Sequence, residues 1–324
     1  MNLLPTISLL SFIPPKISRA VILSTLVIVT FNFNAQAQSK NGFDLSNTSI
    51  KKSEIISGGP RRDGIPSINH PKFIDAKKVN FLKDSDIVIG LTRGNITRAY
   101  PTRILVWHEI VNDIINNDPV VITYCPLCGT GMIFKRQIKG KLVSFGVSGL
   151  LYRSDVLMYD RKTNSLWSQL LMKAVSGTEI GTQLEWLPSE YSTWKAWKQK
   201  YPNGKVLSLD TGYTRDYRSE SAYAEYRSSN NIMFPVPQTR RELPNKELVI
   251  GVILHGKAKA YPIKFFSKKS VVKDTLANSS LLIRYNKTKK SHEIVDSKGK
   301  QIPSVLVYWF AWQAFYPQTE LWTK

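Results

Sequence analysis

The two cysteines of the chain, Cys125 and Cys128, fall within one Cys-Pro-Leu-Cys run that is followed by Gly129. Thiols at this spacing support three kinds of chemistry. They can form one knuckle of a rubredoxin-like or zinc-ribbon site, where the glycine lets backbone N–H groups approach the thiolates. They can cycle between dithiol and disulfide, since Cys-x-x-Cys lowers the first thiol's pKa and the pair passes through a mixed disulfide. They can also form an inert bridge, although a loop this short restrains little chain entropy. A thiolate-only metal site needs a second knuckle, and the sequence has none. Metal binding would therefore recruit His108, with Met158, Glu109 or Asp155 as further ligands. Sulfur with imidazole suits copper or zinc. In the redox reading Cys125 and Cys128 carry the reaction and His108 helps to hold the thiolate. A thioredoxin-type arrangement is disfavoured, because the motif precedes Gly129-Thr130-Gly131 and an expected β-hairpin over 132–147, where that fold places a helix.

Further candidates for binding are Glu109, Arg153, Asp155, Tyr159, Asp160, Arg161, Trp167 and Gln169. Asp155 and Asp160 with Arg153 and Arg161 suit acid–base or anion-binding roles, but their alternation with Val156, Leu157 and Tyr159 equally describes the polar face of a strand. Several catalytic signatures fail. His108-Glu109-Ile110-Val111-Asn112 lacks the second histidine of a zincin helix, Gly146-Val147-Ser148-Gly149 lacks the last glycine of a nucleophile elbow, and Cys128 is followed by glycine, which excludes c-type haem attachment.

The elements that must position these residues are visible in an internal repeat. Shifted by 161 residues, 86–124 aligns without a gap on 247–285, and Val88-Ile89-Gly90 and Ala99-Tyr100-Pro101 meet identical triplets. A second match, at an offset of 115, sets Trp194, Trp197, Tyr201 and Pro202 on Trp309, Trp312, Tyr316 and Pro317. Each copy reads as two short β-runs around a turn (Arg93-Gly94-Asn95 in the first), a helix after Pro101 carrying Ile104, Leu105, Ile110, Val111 and Ile114, and a buried strand over 120–124. It closes with a helix begun by Pro188-Ser189 and ended at Tyr201-Pro202. The paired tryptophans read as core, because both copies have them.

The two offsets leave 46 extra residues in the first copy between Tyr124 and Leu187, and that insertion opens on the cysteine motif. Trp107-His108-Glu109 is also replaced in the second copy, by Lys268-Lys269-Ser270. Residues confined to one copy are where function is expected. The organisation that follows is a signal peptide over 1–37, an N-terminal extension over 38–85, a first module over 86–209 with a β-rich functional insertion over 125–186, a connecting segment over 210–246 and a second module over 247–324. The expected fold is α+β, with the two duplicated modules packed as one domain.

Lys16 and Arg19 precede an apolar run over 20–31, and Ala35-Gln36-Ala37 offers the small residues read by a signal peptidase. Export with cleavage after Ala37 is expected, so that the chain works outside the cytoplasm, in the periplasm or secreted; the alternative is an uncleaved N-terminal anchor, for which the run is short. The whole chain of 324 residues carries a formal charge of +21, and removing Lys16 and Arg19 leaves +19. Such a surface favours anionic envelope components as partners. Nucleic acid is disfavoured, because the basic residues are spread without a dense tract and no nucleic-acid-binding signature is present.

Gly64-Ile65-Pro66, Tyr100-Pro101, Trp107-His108-Glu109-Ile110-Val111-Asn112-Asp113, Thr123-Tyr124-Cys125-Pro126-Leu127-Cys128-Gly129, Phe145-Gly146-Val147-Ser148-Gly149, Ser154-Asp155, Met158-Tyr159-Asp160-Arg161 and Leu166-Trp167-Ser168-Gln169 together resemble the bacterial domain-of-unknown-function family 3179. The resemblance includes Thr211-Gly212-Tyr213-Thr214-Arg215-Asp216-Tyr217 and runs from about Gly58 to the C-terminus. It implies that these residues form one site and adds no reaction. The leading reading is an exported metal-binding or thiol-redox protein centred on Cys125, Cys128 and His108. The alternative is a non-catalytic, basic envelope-binding module with a structural disulfide.

Overall fold

A computed structural model of the chain describes residues 39–219, 222–237, 240–267 and 270–323. The expected signal segment, 1–37, lies outside the described residues. Strand makes up 43% of the described residues and helix 13%, in a five-bladed, propeller-like arrangement. The expected α+β fold of two duplicated modules is therefore corrected. The sequence repeat corresponds to a shared pairing pattern in two sheets. One runs Glu190–Thr193, Ile87–Arg93, Ile96–Pro101, Lys205–Leu207 and Phe73–Asp75; the other runs Ser304–Tyr308, Leu248–Leu254, Lys257–Pro262 and Glu320–Leu321. In both, the third strand pairs in parallel with the fourth. The molecule nonetheless does not divide in two, because a single apolar cluster joins Phe43 and Ile55 to Cys125 and Trp167, and these to Val249, Val307 and Trp312.

The helix content was overestimated for a local reason. The helix Thr102–His108 ends where Glu109 takes φ 56°, and Ile110–Ile115 is a strand paired antiparallel with Asp118–Cys125. Ile110, Val111, Ile114 and Ile115 are β-branched and stiff at χ1, which favours a pleated surface and makes an apolar run fit either period. The strand pair closes through Asn116 and Asn117, both left-handed, as a two-residue type I′ turn requires. The later helix also starts further along than expected. Glu190–Thr193 is a strand, Thr193 caps the helix Trp194–Lys200 by accepting from the Ala196 N–H, and Tyr201 ends it.

Two sheets carry the cysteine motif and its surroundings. Asp118–Cys125 pairs antiparallel with Thr130–Lys135, so Cys-Pro-Leu-Cys-Gly is the loop of a tight hairpin with Cys125 opposite Thr130. Of the hairpin expected over 132–147 only a short central part forms, Gln137–Ile138 pairing with Lys141–Leu142, while Thr130–Lys135 pairs backwards. The next sheet is Lys173–Ala174, Leu166–Ser168, Asp155–Asp160, Phe145–Tyr152 and Ile55–Ser57. Its central pair slips register between Val147 and Leu150. Gly149 sits in that bulge at φ 73°, where a Cβ would lie 2.1 Å from the Pro60 carbonyl oxygen, so only glycine fits.

Candidate metal centre

The central hairpin turns at Arg153 and Ser154, both left-handed at φ 50° and 68°. Neither is the Asn or Gly that a type I′ turn prefers, so the turn stores backbone strain. Arg153 is fixed from outside, donating to Glu54 Oε2 at 2.8 Å and to the Ala314 carbonyl. This clamp presents the Ser154 carbonyl to the thiols. Cys128 Sγ lies 3.3 Å from that oxygen and Cys125 Sγ 3.8 Å from it. Asp155, the next residue, brings a carboxylate oxygen into the same space. The two sulfurs and the Asp155 oxygen all lie within 4.8 Å of one another, and all three residues are buried. Both cysteines are free thiols.

The polar groups around this cluster are incompletely paired. Asp155 Oδ2 accepts from the Leu170 N–H at 3.0 Å, whereas Oδ1 has no partner. Ser154 Oγ and Gln169 Oε1 are also buried without partners. Gln169 is held by its other end, Nε2 donating to Thr123 Oγ1 at 2.7 Å, while the Thr123 hydroxyl donates to the Met132 carbonyl. Buried oxygens are nearly always hydrogen-bonded, and a group of exceptions around two thiols marks a place for an ion or water.

Burial pushes the Asp155 carboxyl up to about 7, against the opposing pull of the Leu170 amide and the two thiols. Burial, reinforced by the Asp155 charge, pushes Glu109 up to about 8. Both thiols are likewise raised by burial, with Asp155 adding to the effect. Among the described residues, none of the principal influences on these four groups is a cation. Burial therefore favours the protonated, uncharged forms of these groups, and a bound cation is what would stabilise their charged forms.

The other sequence candidates divide sharply. His108 does not join the thiols. Its Nδ1 is 2.8 Å from the Pro66 carbonyl and its Nε2 is 2.6 Å from Tyr217 Oη, so both ring nitrogens are already engaged. The helix that carries His108 is followed by the strand Ile110–Ile115, which separates it from the strand leading to Cys125. Glu109, the next residue, is the one whose charge reaches Cys125 and Asp155. Met158 is buried, but it stands an odd number of positions from Asp155 along one strand and so faces the opposite side of the sheet. On that same side Asp160 accepts from the Trp167 indole at 3.0 Å and from the Thr163 N–H at 2.6 Å, a structural role. Tyr159, fully buried, and Arg161, partly exposed, both meet Asp63, at 2.5 and 2.7 Å, forming a separate group. Ser154 and Thr123 stand in the motifs of the family resemblance, but the sequence assigns neither a role, because the first acts through its main chain and the second through Gln169.

The chain is thus a mostly β, propeller-like protein built around a buried dithiol–carboxylate cluster. It belongs to the family described as Protein of unknown function (DUF3179), whose model matches residues 62–319. No curated protein and no solved structure matches it.

Proposed function

We propose that the protein binds a divalent metal ion, with zinc the best fit, through Cys125, Cys128 and Asp155. The observation that carries this reading is the convergence of two thiols and a carboxylate oxygen within 4.8 Å of one another, all on buried residues, with Asp155 Oδ1 unpartnered. A tetrahedral zinc ion with sulfur at about 2.3 Å and oxygen at about 2.0 Å requires those atoms roughly 3.5–3.8 Å apart, a spread reached by small side-chain rotations. The mixed sulfur and oxygen donors favour zinc over monovalent copper, which prefers sulfur alone. The ion would supply the missing positive charge and draw the protons from the thiols and Asp155. The Ser154 carbonyl, 3.3 and 3.8 Å from the two sulfurs, is the neutral oxygen the structure places beside the thiols.

Use of the pair as an exchanging disulfide has less support. Catalytic thiols need a lowered pKa and access to a partner, whereas burial raises both of these and leaves Cys125 1% and Cys128 0% exposed. The reading extends to export, supported by Lys16, Arg19, the apolar run over 20–31 and Ala35-Gln36-Ala37. Metal content by mass spectrometry and a free-thiol count test the function on protein purified without chelators or reductants. About one zinc per chain with both thiols protected is expected. Metal-free protein that takes up no zinc on reconstitution, with Cys125 and Cys128 joined in a disulfide, overturns the reading.

A further inference from the structure

A cleft of about 390 Å³ opens where the two repeats meet. Ile87 and Leu248, which align at the offset of 161, both line it, and Tyr191 in its wall packs on the apolar clusters of both repeated sheets. That volume is in the range of small-molecule sites, which favour such junctions. Tyr124 and Tyr308 join Tyr191 in the lining. Among the described residues, none of these three hydroxyls has a hydrogen-bond partner, and none is sealed from solvent, so each is open to the cleft. The Tyr226 and Tyr316 hydroxyls, by contrast, each donate to a main-chain carbonyl, at 2.9 and 2.5 Å. The open phenols are also held in place. The Tyr308 N–H donates to the Cys128 carbonyl at 2.9 Å, and its ring lies against Gly129, where a Cβ would come within 3.0 Å of it.

We propose that this cleft binds a small organic anion, with its oxyanion head on the three phenols and its apolar body against Ile87, Val106 and Leu248. Burial raises all three phenols, so at neutral pH each keeps its proton and has a hydrogen to donate. The charge of the lining selects the sign of the ligand. Asp86, its carboxylate, is held at both oxygens by Arg103, at 2.8 and 2.9 Å, while Arg227 and Lys290 add two further cations. The Arg227 charge reaches each of the three phenols. O–H donors grouped around a guanidinium match an oxyanion, because hydrogen bonds to a charged acceptor are the strong ones. The aliphatic wall and the tyrosine rings favour an organic ligand over a bare inorganic ion. The proposal does not rest on the metal reading, since its ligand-binding groups are the phenols and the cations.

The test uses the full chain as purified, with benzoate, phenyl phosphate, inorganic phosphate and benzyl alcohol as probes, read by isothermal titration. Saturable 1:1 binding of benzoate or phenyl phosphate in the millimolar range or tighter is expected, and whichever binds better identifies the head group. Benzyl alcohol, which lacks the charge, should bind about 10-fold more weakly, and inorganic phosphate, which lacks the apolar body, about threefold more weakly than phenyl phosphate. Tyr124→Phe, Tyr191→Phe and Tyr308→Phe each keep the ring and the net charge while removing one donor. Each should weaken binding by about threefold, and Tyr124→Phe with Tyr308→Phe together by about 10-fold. Non-specific attraction to a strongly basic chain would not respond to these substitutions. Lys290→Met should weaken binding by about twofold, with a smaller effect at high salt. Should the double variant fail to fold, the three single variants decide. No saturable binding of either organic anion in the millimolar range, benzyl alcohol or inorganic phosphate binding as tightly as the organic anions, or binding unchanged by every tyrosine substitution overturns the proposal.

Discussion

Cys128 Sγ lies 3.3 Å from the carbonyl oxygen of Ser154, a residue held in the left-handed region at the tip of the neighbouring hairpin. That contact couples two segments distant in sequence, the knuckle loop and a strained type I′ turn, and it sets Asp155 beside both sulfurs. The arrangement is built from outside by Arg153, whose guanidinium spans Glu54 and the Ala314 carbonyl.

Asp155 should separate metal binding from stability. Asp155→Asn keeps the shape and replaces an awkward buried carboxyl with a neutral amide. Zinc affinity should fall by about 10-fold or more, whereas the metal-free variant should melt no lower than the metal-free parent at pH 8. Competition with a chromophoric chelator and a thermal melt supply the two readings. Unchanged zinc affinity would remove Asp155 from the ligand set.

The metal-free protein should lose stability as pH rises from about 4 towards 8. Asp155 and Glu109 have folded values of about 7 and about 8, above their ordinary carboxylate values. The folded state therefore holds more protons than the unfolded state across that window, and stability falls with pH. Double replacement by Asp155→Asn and Glu109→Gln should flatten the slope. Denaturant unfolding at pH 4.5, 6 and 8 measures it, and an equal slope in parent and variant would show that these carboxyls ionise freely.

The centre was only partly legible in the sequence. The Cys-Pro-Leu-Cys-Gly knuckle declares itself locally, and Asp155 stood among the further ligands. His108 was misassigned because absence from the second repeat marks a residue as special without saying which neighbour makes it so; here the neighbour is Tyr217. The fold class failed at 110–115, where β-branched residues fit helical and strand periods alike. Long-range pairing decided between them, since Ile110–Ile115 lies along Asp118–Cys125. The repeat was plain in the letters, but its physical meaning was a shared sheet order. The core that joins those sheets draws on 43–55 and on the insertion, and no local pattern announces it.

His108→Ala should destabilise the protein without altering its metal content. The imidazole is fully buried, and its removal strands the Pro66 carbonyl while taking one partner from Tyr217 Oη, which Thr211 still contacts at 2.6 Å. A loss of about 2–3 kcal/mol is expected from the unpaired polar groups and the cavity. Loss of zinc from a folded His108→Ala protein would return this residue to the metal site.

Trp194→Ala and Trp309→Ala should be costlier still. The two residues open equivalent helices, Trp194–Lys200 and Trp309–Phe315, and are 3% and 0% exposed. Each substitution should cost about 3–5 kcal/mol. Neither residue supplies an atom to the dithiol–carboxylate cluster, so zinc stoichiometry in the surviving folded fraction should be unchanged. Chemical denaturation at matched metal loading gives the comparison, and a cost below about 1 kcal/mol at either position would deny it a packing role.

The N-terminal expectation has its own measurement. Lys16 and Arg19 ahead of the apolar run and Ala35-Gln36-Ala37 behind it predict cleavage between Ala37 and Gln38. Intact-mass analysis of protein expressed from the full reading frame in a bacterial host with a working export pathway should give a chain beginning at Gln38, recovered outside the cytoplasm. A buried dithiol centre in that oxidising compartment faces a specific hazard, since free thiols there are driven towards disulfide. Zinc bound before or during export would protect Cys125 and Cys128, so exported chain grown in zinc-depleted medium should carry the disulfide and zinc-replete chain two metal-bound thiolates. Thiol alkylation under denaturing conditions, with and without chelator, distinguishes the two. A chain retaining Met1 in a membrane fraction would establish an anchor, and exported chain with the same oxidised pair in both media would show that metal does not hold these cysteines.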